Sequence, residues 1–393
     1  MGQSSRCCRY TCIMTGTRKI RVLQTIRQGL IGGGETHVLS LVGQLDTTRF
    51  HPIVLSFTDG PMIDQLRKMG VEHHVIPSLK AFDLMQWRKV KELLQEEDID
   101  IVHAHGSRAA SNLFFPARAL KIPLLYTIHG WSFHDDQPFM VKQLRVFSER
   151  FLTANMQRNI SVSASNFETG KAHFSNFQST IINNGIDLNR FNPENAAKDI
   201  RSELNIPAHH TLVGFIARMT AQKDPLTMIR AFAQVLQQRK DTTLLMVGEG
   251  ELRADMERLV NELGIQEHVI FQPFRQDVPD ILQATDIYCL PSLWEGMPIG
   301  LLEAMAMKNA VVVTNVDGSR EIIQHMKNGC MVEARNAAML SDTILNLIGG
   351  KDLREKLQNA ALATVRQNFS VVEMTARVEQ LYEEVLQLKR NTA

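Results

Sequence analysis

The stretch SLWEGMPIGLLEAMAM, residues 292–307, carries two glutamates, Glu295 and Glu303. Glu295 stands in a Gly/Pro loop. Glu303 stands among Leu301, Leu302, Ala304, Met305 and Ala306, in a run patterned as a helix. A carboxylate held there needs strong hydrogen-bond donors. The vicinal hydroxyls of a ribose would supply two; a capped or partly exposed surface glutamate is the plainer alternative. Upstream, Arg218 and Lys223 lie in FIARMTAQKDP, where Asp224 can cap a helix that Pro225 begins. Two cations at a strand end beside a helix N-terminus suit a diphosphate, although an exposed Arg and Lys need no ligand. Gly32, Gly33 and Gly34 also follow a strand and open a helix, where backbone can approach an anion. A tight turn explains the same residues, and the dinucleotide spacing G-x-G-x-x-G is absent. His103, His105 and His129 end two further strands. No carboxylate or cysteine accompanies them at ligand spacing, so neutral imidazoles bonding a hydroxyl or phosphate are expected rather than a metal.

These residues need elements to hold them, and the chain alternates strand and helix throughout. KIRVLQTI, HPIVLSF, VEHHVIP, IDIVHAHG and PLLYTIHG read as strands, with helices at RQGLIGGGETHVLSLVGQL (after its Gly loop), PMIDQLRKMG and WRKVKELLQEED. NISVSASN and STIINNGID close this half. The pattern restarts at HTLVGFIARM and runs through TTLLMVGEG, HVIFQPF, DIYCLPS and AVVVTNV, separated by helices. Short apolar strands between helices predict parallel sheets covered on both faces. The expected fold is α/β: two facing, doubly wound, Rossmann-like domains with ligands at the carboxyl ends of the strands, in a cleft between them. The expected divisions are a disordered extension at 1–18, an N-terminal domain at 19–185, a C-terminal domain at 186–370 and a final helical segment at 371–393. That last helix could dock on either domain.

Composition narrows the classes. The 393 residues are 44% hydrophobic and 22% charged, a globular profile, and their length predicts two domains. No run approaches the roughly 18 apolar residues of a membrane span. The first half, to Gly185, carries 21 Lys and Arg against 15 Asp and Glu; the remainder carries 22 against 27. That excess falls short of a nucleic-acid stripe. Cys7, Cys8 and Cys12 crowd the start, while Cys289 and Cys330 lie in apolar surroundings. This is no disulfide framework, and a reducing cytosol is expected. The start lacks the apolar core of a secretory signal. Arg6 departs from the myristoylation pattern, and Met14 is an alternative first residue.

Taken in order, GGGETHV, HAHG, TIHG, NGID, ARMTAQKDP, VGEGELR and the E-x7-E element from Glu295 to Glu303 resemble the retaining glycosyltransferases of family 4, which have the GT-B fold. The resemblance runs from about Lys19 to Leu388. It implies that Arg218 and Lys223 bind the diphosphate of a nucleotide-sugar donor and that Glu303 binds ribose hydroxyls. Glu295 would contact the donor sugar, beside the backbone of Gly296, Met297, Pro298 and Ile299. His129 would lie beside the donor sugar and matter for transfer. Gly33 and Gly34 would pack near phosphate and acceptor; Gly248, in VGEG, and the FQPFRQDV segment would flank the base. Ala217 and Asp224 stand where many members have Gly.

The implied chemistry is front-face transfer with retention. Cofactor and metal are absent from it; the donor is a substrate, and its base is left open. The implied acceptor is a glycan or lipid-linked glycan in cell-surface polysaccharide or glycolipid synthesis. The implied location is cytoplasmic, including the cytoplasmic face of the membrane. WSFHDDQPFMVKQLRVF is the candidate acceptor wall: its aromatic and basic mixture suits a membrane face, and an ordinary amphipathic helix explains it as well. Nothing in the sequence sets the oligomeric state. A sugar-nucleotide epimerase and a non-catalytic nucleotide-sugar-binding protein are the rival classes. The first lacks its acid/base set here, and the second predicts loss of Glu295 or His129.

Overall fold

The computed structural model describes residues 18–134, 137–195 and 197–391. The expected extension, with Cys7, Cys8 and Cys12, lies outside them apart from Arg18. The chain divides into two compact units. One comprises the residues up to Val162, Asn166–Ile182 and those from Thr375 on; the other comprises Ser163–Ser165 and Asn183–Met374.

The first unit has seven strands: β1 Ile20–Ile26, β2 Phe50–Ser56, β3 Glu72–Val75, β4 Ile101–His105, β5 Leu124–Ile128, β6 Arg158–Ser161 and β7 Thr180–Ile181. They form one sheet in the order β3-β2-β1-β4-β5-β6-β7, every pairing parallel. The apolar runs predicted as strands are its centre, and β4 and β5 are buried along their whole length. One face packs Leu23, Ile53, Leu55, Val102, Ala104 and Tyr126 into a large core. The other packs Ile26 and Val54 against Val38, Leu39 and Val42 of the helix Gly33–Gln44. The last helix, Val371–Asn391, contributes its part from Thr375 to this unit. Its Tyr382 meets the Phe50 ring edge-on at 5.8 Å, and Arg49 pairs with its Glu379 and Glu383.

The second unit has six strands: β8 Thr211–Ile216, β9 Thr242–Val247, β10 Val269–Gln272, β11 Ile287–Leu290, β12 Ala310–Thr314 and β13 Cys330–Val332. Their order, β10-β9-β8-β11-β12-β13, is again all parallel. Val213, Phe215, Leu244, Met246, Ile287, Cys289 and Val312 carry its main core. Burial pushes the Cys330 thiol up to about 11 and the Cys289 thiol higher still, so both stay protonated.

In each sheet the order reverses beside the first strand, between β1 and β4 and between β8 and β11. Such a switch point leaves a crevice at the strands' carboxyl ends, because flanking connections leave on opposite faces. The residues singled out for chemistry follow these four strands and their neighbours. Several helices have no counterpart in the sequence reading: Ser107–Ala119, Ala164–His173, Asp317–Ile322, Ala337–Gly349 and Lys351–Asn368. The last three residues of the NISVSASN segment open the second of these.

Candidate active site

In the second unit, two loops meet at the β8/β11 switch point. Arg218 is exposed in the loop after β8 and forms no ion pair among the described residues. Lys223 ends a short turn, and its Nζ lies 2.5 Å from Glu295 Oε1, with side chains only 15% and 5% exposed. Ser292 donates its hydroxyl to the same carboxylate oxygen at 2.6 Å. Thr314 in turn donates to the Ser292 carbonyl. The loops are stitched together, for Leu293 N–H donates to Gln222 O at 2.8 Å and Gln222 Nε2 to Trp294 O at 2.9 Å. Lys223 and Glu295, 72 residues apart, are therefore held as one ion pair.

Asp224 shows how the sequence builds this turn. Its φ is +45°, a left-handed conformation in which Asp is tolerated and Gly preferred. Its side chain accepts from Thr227 N–H and caps the helix Pro225–Gln238, as the Asp-Pro pair predicts.

Gly248 and Gly250 serve close approach. A Cβ on Gly248 would stand 2.2 Å from Ala217 O, and one on Gly250 2.3 Å from Met219 O. The VGEG turn thus lies directly on the Arg218 loop, tied by Met219 N–H to Glu249 O at 2.8 Å. A cavity of about 460 Å³ opens beside it, lined by Glu249, Gly250, Arg253, Glu257 and Pro273. The Arg253 guanidinium lies over the Phe271 ring at 4.5 Å.

Glu295 leads into the helix Ile299–Ala306, whose N-cap Pro298 makes no side-chain cap. Gly296 is partly exposed, while Met297, Pro298 and Ile299 are buried. Met297 is fixed by Asn184, whose Nδ2 donates to its carbonyl at 3.0 Å. Glu303 is half-buried on this helix. Burial pushes its carboxyl up to about 7, against a smaller lowering from the Arg190 charge.

In the first unit, Gly33 and Gly34 are the first residues of their helix after N-cap Gly32, as predicted. A Cβ on Gly34 would sit 3.6 Å from His129 Cδ2, an ordinary contact, so that ring does not by itself demand glycine there. His103 and His105 share one sheet face and are buried, and His129 is partly exposed. The structure adds His37, which the sequence reading passed over. Its ring meets His129 edge-on at 4.8 Å. Burial first, then the neighbouring imidazoles, holds His105 and His129 well below the usual histidine range and His103 at about 3. All three are neutral at physiological pH. Nitrogens of His37, His105 and His129 lie within 4.8 Å of one another, a spacing open to a metal. His105 and His129, however, already hydrogen-bond at 3.1 Å. Gln24, Thr127 and Tyr382 also meet this cluster. Their only signal in the sequence is a polar residue in an apolar strand or stripe.

Two all-parallel domains of this strand order, each with polar groups gathered at its switch point, have the architecture of the GT-B fold, as the solved structures below bear out. Residues 31–190 match the model of Glycosyltransferase Family 4, and residues 196–364 that of Glycosyl transferases group 1. The Escherichia coli UDP-Gal:α-D-GlcNAc-diphosphoundecaprenol α-1,3-galactosyltransferase is 25% identical over 384 residues, covering 93% of this chain and 97% of its own. A crystal structure of Anabaena HepE in complex with UDP and glucose superposes with a TM-score of 0.82 at 21% identity, over 93% of this chain and all of that one. Sucrose-phosphate synthase from Thermosynechococcus elongatus superposes at 0.81 with 18% identity, over 94% of this chain and all of its own. The chain belongs to glycosyltransferase family 4 and is a transferase that uses a nucleotide-sugar donor.

Proposed function

We propose that this enzyme moves a sugar, with retention, from a UDP-sugar to a lipid-linked glycan in cell-surface polysaccharide or glycolipid synthesis, without a metal. The observation that carries the donor assignment is the Lys223–Glu295 pair at 2.5 Å, beside exposed Arg218 and an uncapped helix N-terminus. A diphosphate approaching Lys223 competes with Glu295 for the ammonium and frees that carboxylate for sugar hydroxyls. Glu303 takes the ribose hydroxyls, and the cavity beside Gly248 and Gly250 takes the base. Uridine is favoured because the E. coli relative is named for UDP-Gal and the Anabaena structure holds UDP. Arg218, Lys223 and the helix N-terminus balance the charge that grows on the leaving phosphate. The sugar–phosphate bond opens towards an oxocarbenium-like state. The acceptor oxygen attacks the same face, and its proton passes to the departing phosphate. His129 acts beside the donor sugar as a neutral hydrogen-bonding group.

The lipid-linked acceptor rests on the E. coli relative's name and on the helix Phe139–Asn155. This helix buries Glu149, Leu152 and Thr153, while Phe139, Met140, Leu144 and Phe147 are each about 70% exposed or more. An ordinary amphipathic helix hides its apolar stripe. With Lys142, Arg145 and Arg150 on the same helix, an anionic lipid surface is the proposed neighbour.

The test is a thermal-shift and product screen against UDP-, GDP- and ADP-sugars, with and without EDTA, using a diphosphoprenol-linked acceptor. A UDP-sugar should stabilise the protein and react with EDTA present, and NMR of the product should show the donor's anomeric configuration. Inversion, or activity abolished by EDTA and restored by Mg²⁺, would refute the mechanism. If no nucleotide sugar raises the melting temperature, the proposed donor residues are wrong.

A further inference from the structure

Five hydrogen bonds join the histidines to the last helix of the first unit. His129 and His105 meet through Nε2 and Nδ1 at 3.1 Å, and His105 Nε2 meets Gln24 Oε1 at 2.9 Å. Gln24 Nε2 donates to the Tyr382 hydroxyl at 2.8 Å. That hydroxyl lies 2.6 Å from His103 Nδ1, and His103 Nε2 lies 2.7 Å from Thr127 Oγ1. Gln24, Thr127, His103, His105 and Tyr382 are all 2% exposed or less. Register explains the gathering, since Gln24 pairs with His103 and His105 with Thr127 across β1, β4 and β5, so all four share a face.

Proton bookkeeping gives the chain a direction. A phenol has one proton and a neutral imidazole has one N–H. Tyr382 accepts from Gln24, so its own proton goes to His103 Nδ1, and the His103 proton sits on Nε2 facing Thr127. At the other end, Gln24 Oε1 can only accept, so His105 carries its proton on Nε2. His105 Nδ1 is then bare and accepts from His129 Nε2–H. Turning over the Gln24 amide would reverse all five bonds.

We infer that Gln24 and Tyr382 are positioning residues, which through His105 fix the tautomer of His129 with its proton on Nε2 and Nδ1 left as an acceptor. The functional part of this inference rests on the proposed role of His129 in transfer; the tautomer itself does not. A bare Nδ1 receives a hydroxyl proton in a hydrogen bond, whereas a protonated one presents a donor. The amide of one buried glutamine therefore decides which partner His129 can orient. It also accounts for the His105–His129 contact without a metal.

The experiment uses full-length protein labelled with ¹⁵N at histidine, the His129 signals being assigned by their loss in His129→Asn. The wild-type spectrum should show the proton on Nε2 of His129 and a bare Nδ1. A protonated Nδ1 overturns the inference, as does a stoichiometric bound metal in the purified protein. In Tyr382→Phe, which keeps the ring against Phe50, the His129 signals should report a mixture of tautomers. Its kcat should fall at least fivefold, while KM for the nucleotide sugar stays within twofold. Unchanged His129 signals in a folded Tyr382→Phe would overturn the relay. If that variant does not fold, the wild-type spectrum still decides. A wild type with the expected tautomer but no transferase activity would sink the proposed reaction and leave the tautomer assignment standing.

Discussion

The two switch points of this enzyme are topologically alike and electrostatically opposite. On the β1/β4 side, imidazoles from β4 and after β5, the Gln24 amide of β1 and the Tyr382 hydroxyl of the last helix are all neutral and joined by a chain of hydrogen bonds. Between β8 and β11 the same position carries charge: Lys223 against Glu295, exposed Arg218, and Glu303 with its carboxyl pushed up to about 7. The same strand order thus makes a crevice without deciding what fills it. A neutral network orients hydroxyls without competing for a phosphate. A charged cluster suits a diphosphate, since the ligand brings the charge that the fold leaves incompletely matched.

The largest expected effect comes from breaking the charged side. Lys223→Ala should lower kcat/KM by about 10²–10³-fold, since in the proposed reaction it removes a cation from the leaving phosphate, and it leaves Glu295 without its ion-pair partner. His129→Ala should cost about 10²-fold, mainly in kcat. Steady-state kinetics on both variants would test the ordering; a milder loss in Lys223→Ala than in His129→Ala would reverse the comparison.

Glu303→Gln sharpens it next. The folded-state carboxyl sits near 7 against an ordinary 4.5, so the fold favours the protonated form. Its stabilising contribution is complete below about pH 4.5 and is lost as pH rises through about 7. The glutamine variant should therefore melt above wild type at about pH 8 and close to it at about pH 4.5. In the proposed donor site the same variant should bind the nucleotide sugar about tenfold more weakly, since an amide accepts less strongly than a carboxylate and adds a donor facing the hydroxyls. Equal melting at both pH values would show that the helix does not strain this carboxylate.

The smallest effect belongs to the neutral side, and its sign is opposite. His103, held near 3 by burial, stays neutral in the fold but binds a proton near its ordinary 6.5 when unfolded. His105 and His129 are shifted the same way. Their contribution is complete above about 6.5 and is lost as pH falls below it. Melting temperature should drop from about pH 7.5 to 5 in wild type, with a shallower slope in His103→Gln. A steeper slope in the variant would count against a neutral cluster.

Much of this was legible in the sequence. Short apolar strands between helices predicted two parallel sheets, and the residues singled out for chemistry do lie past strand ends, Arg218 and Lys223 after β8, Glu295 after β11 and His129 after β5. Asp224 and Pro225 announced the start of their helix through local chemistry alone. Local pattern carries these features because side-chain period and capping act within a few residues.

Tertiary structure decided the rest. No local rule pairs Lys223 with Glu295 across 72 residues, or gives Tyr382 to His103 across 279. His37 reads as one polar residue on an apolar helix until packing sets it against His129. Phe139, Met140, Leu144 and Phe147 suit a membrane face and an ordinary amphipathic helix equally in the sequence, until the fold buries the opposite face of their helix and leaves them exposed. The sequence determined which groups were available and which strand ends would present them. Only the fold chose their partners, because desolvation and hydrogen-bond direction depend on neighbours that the chain brings together from a distance.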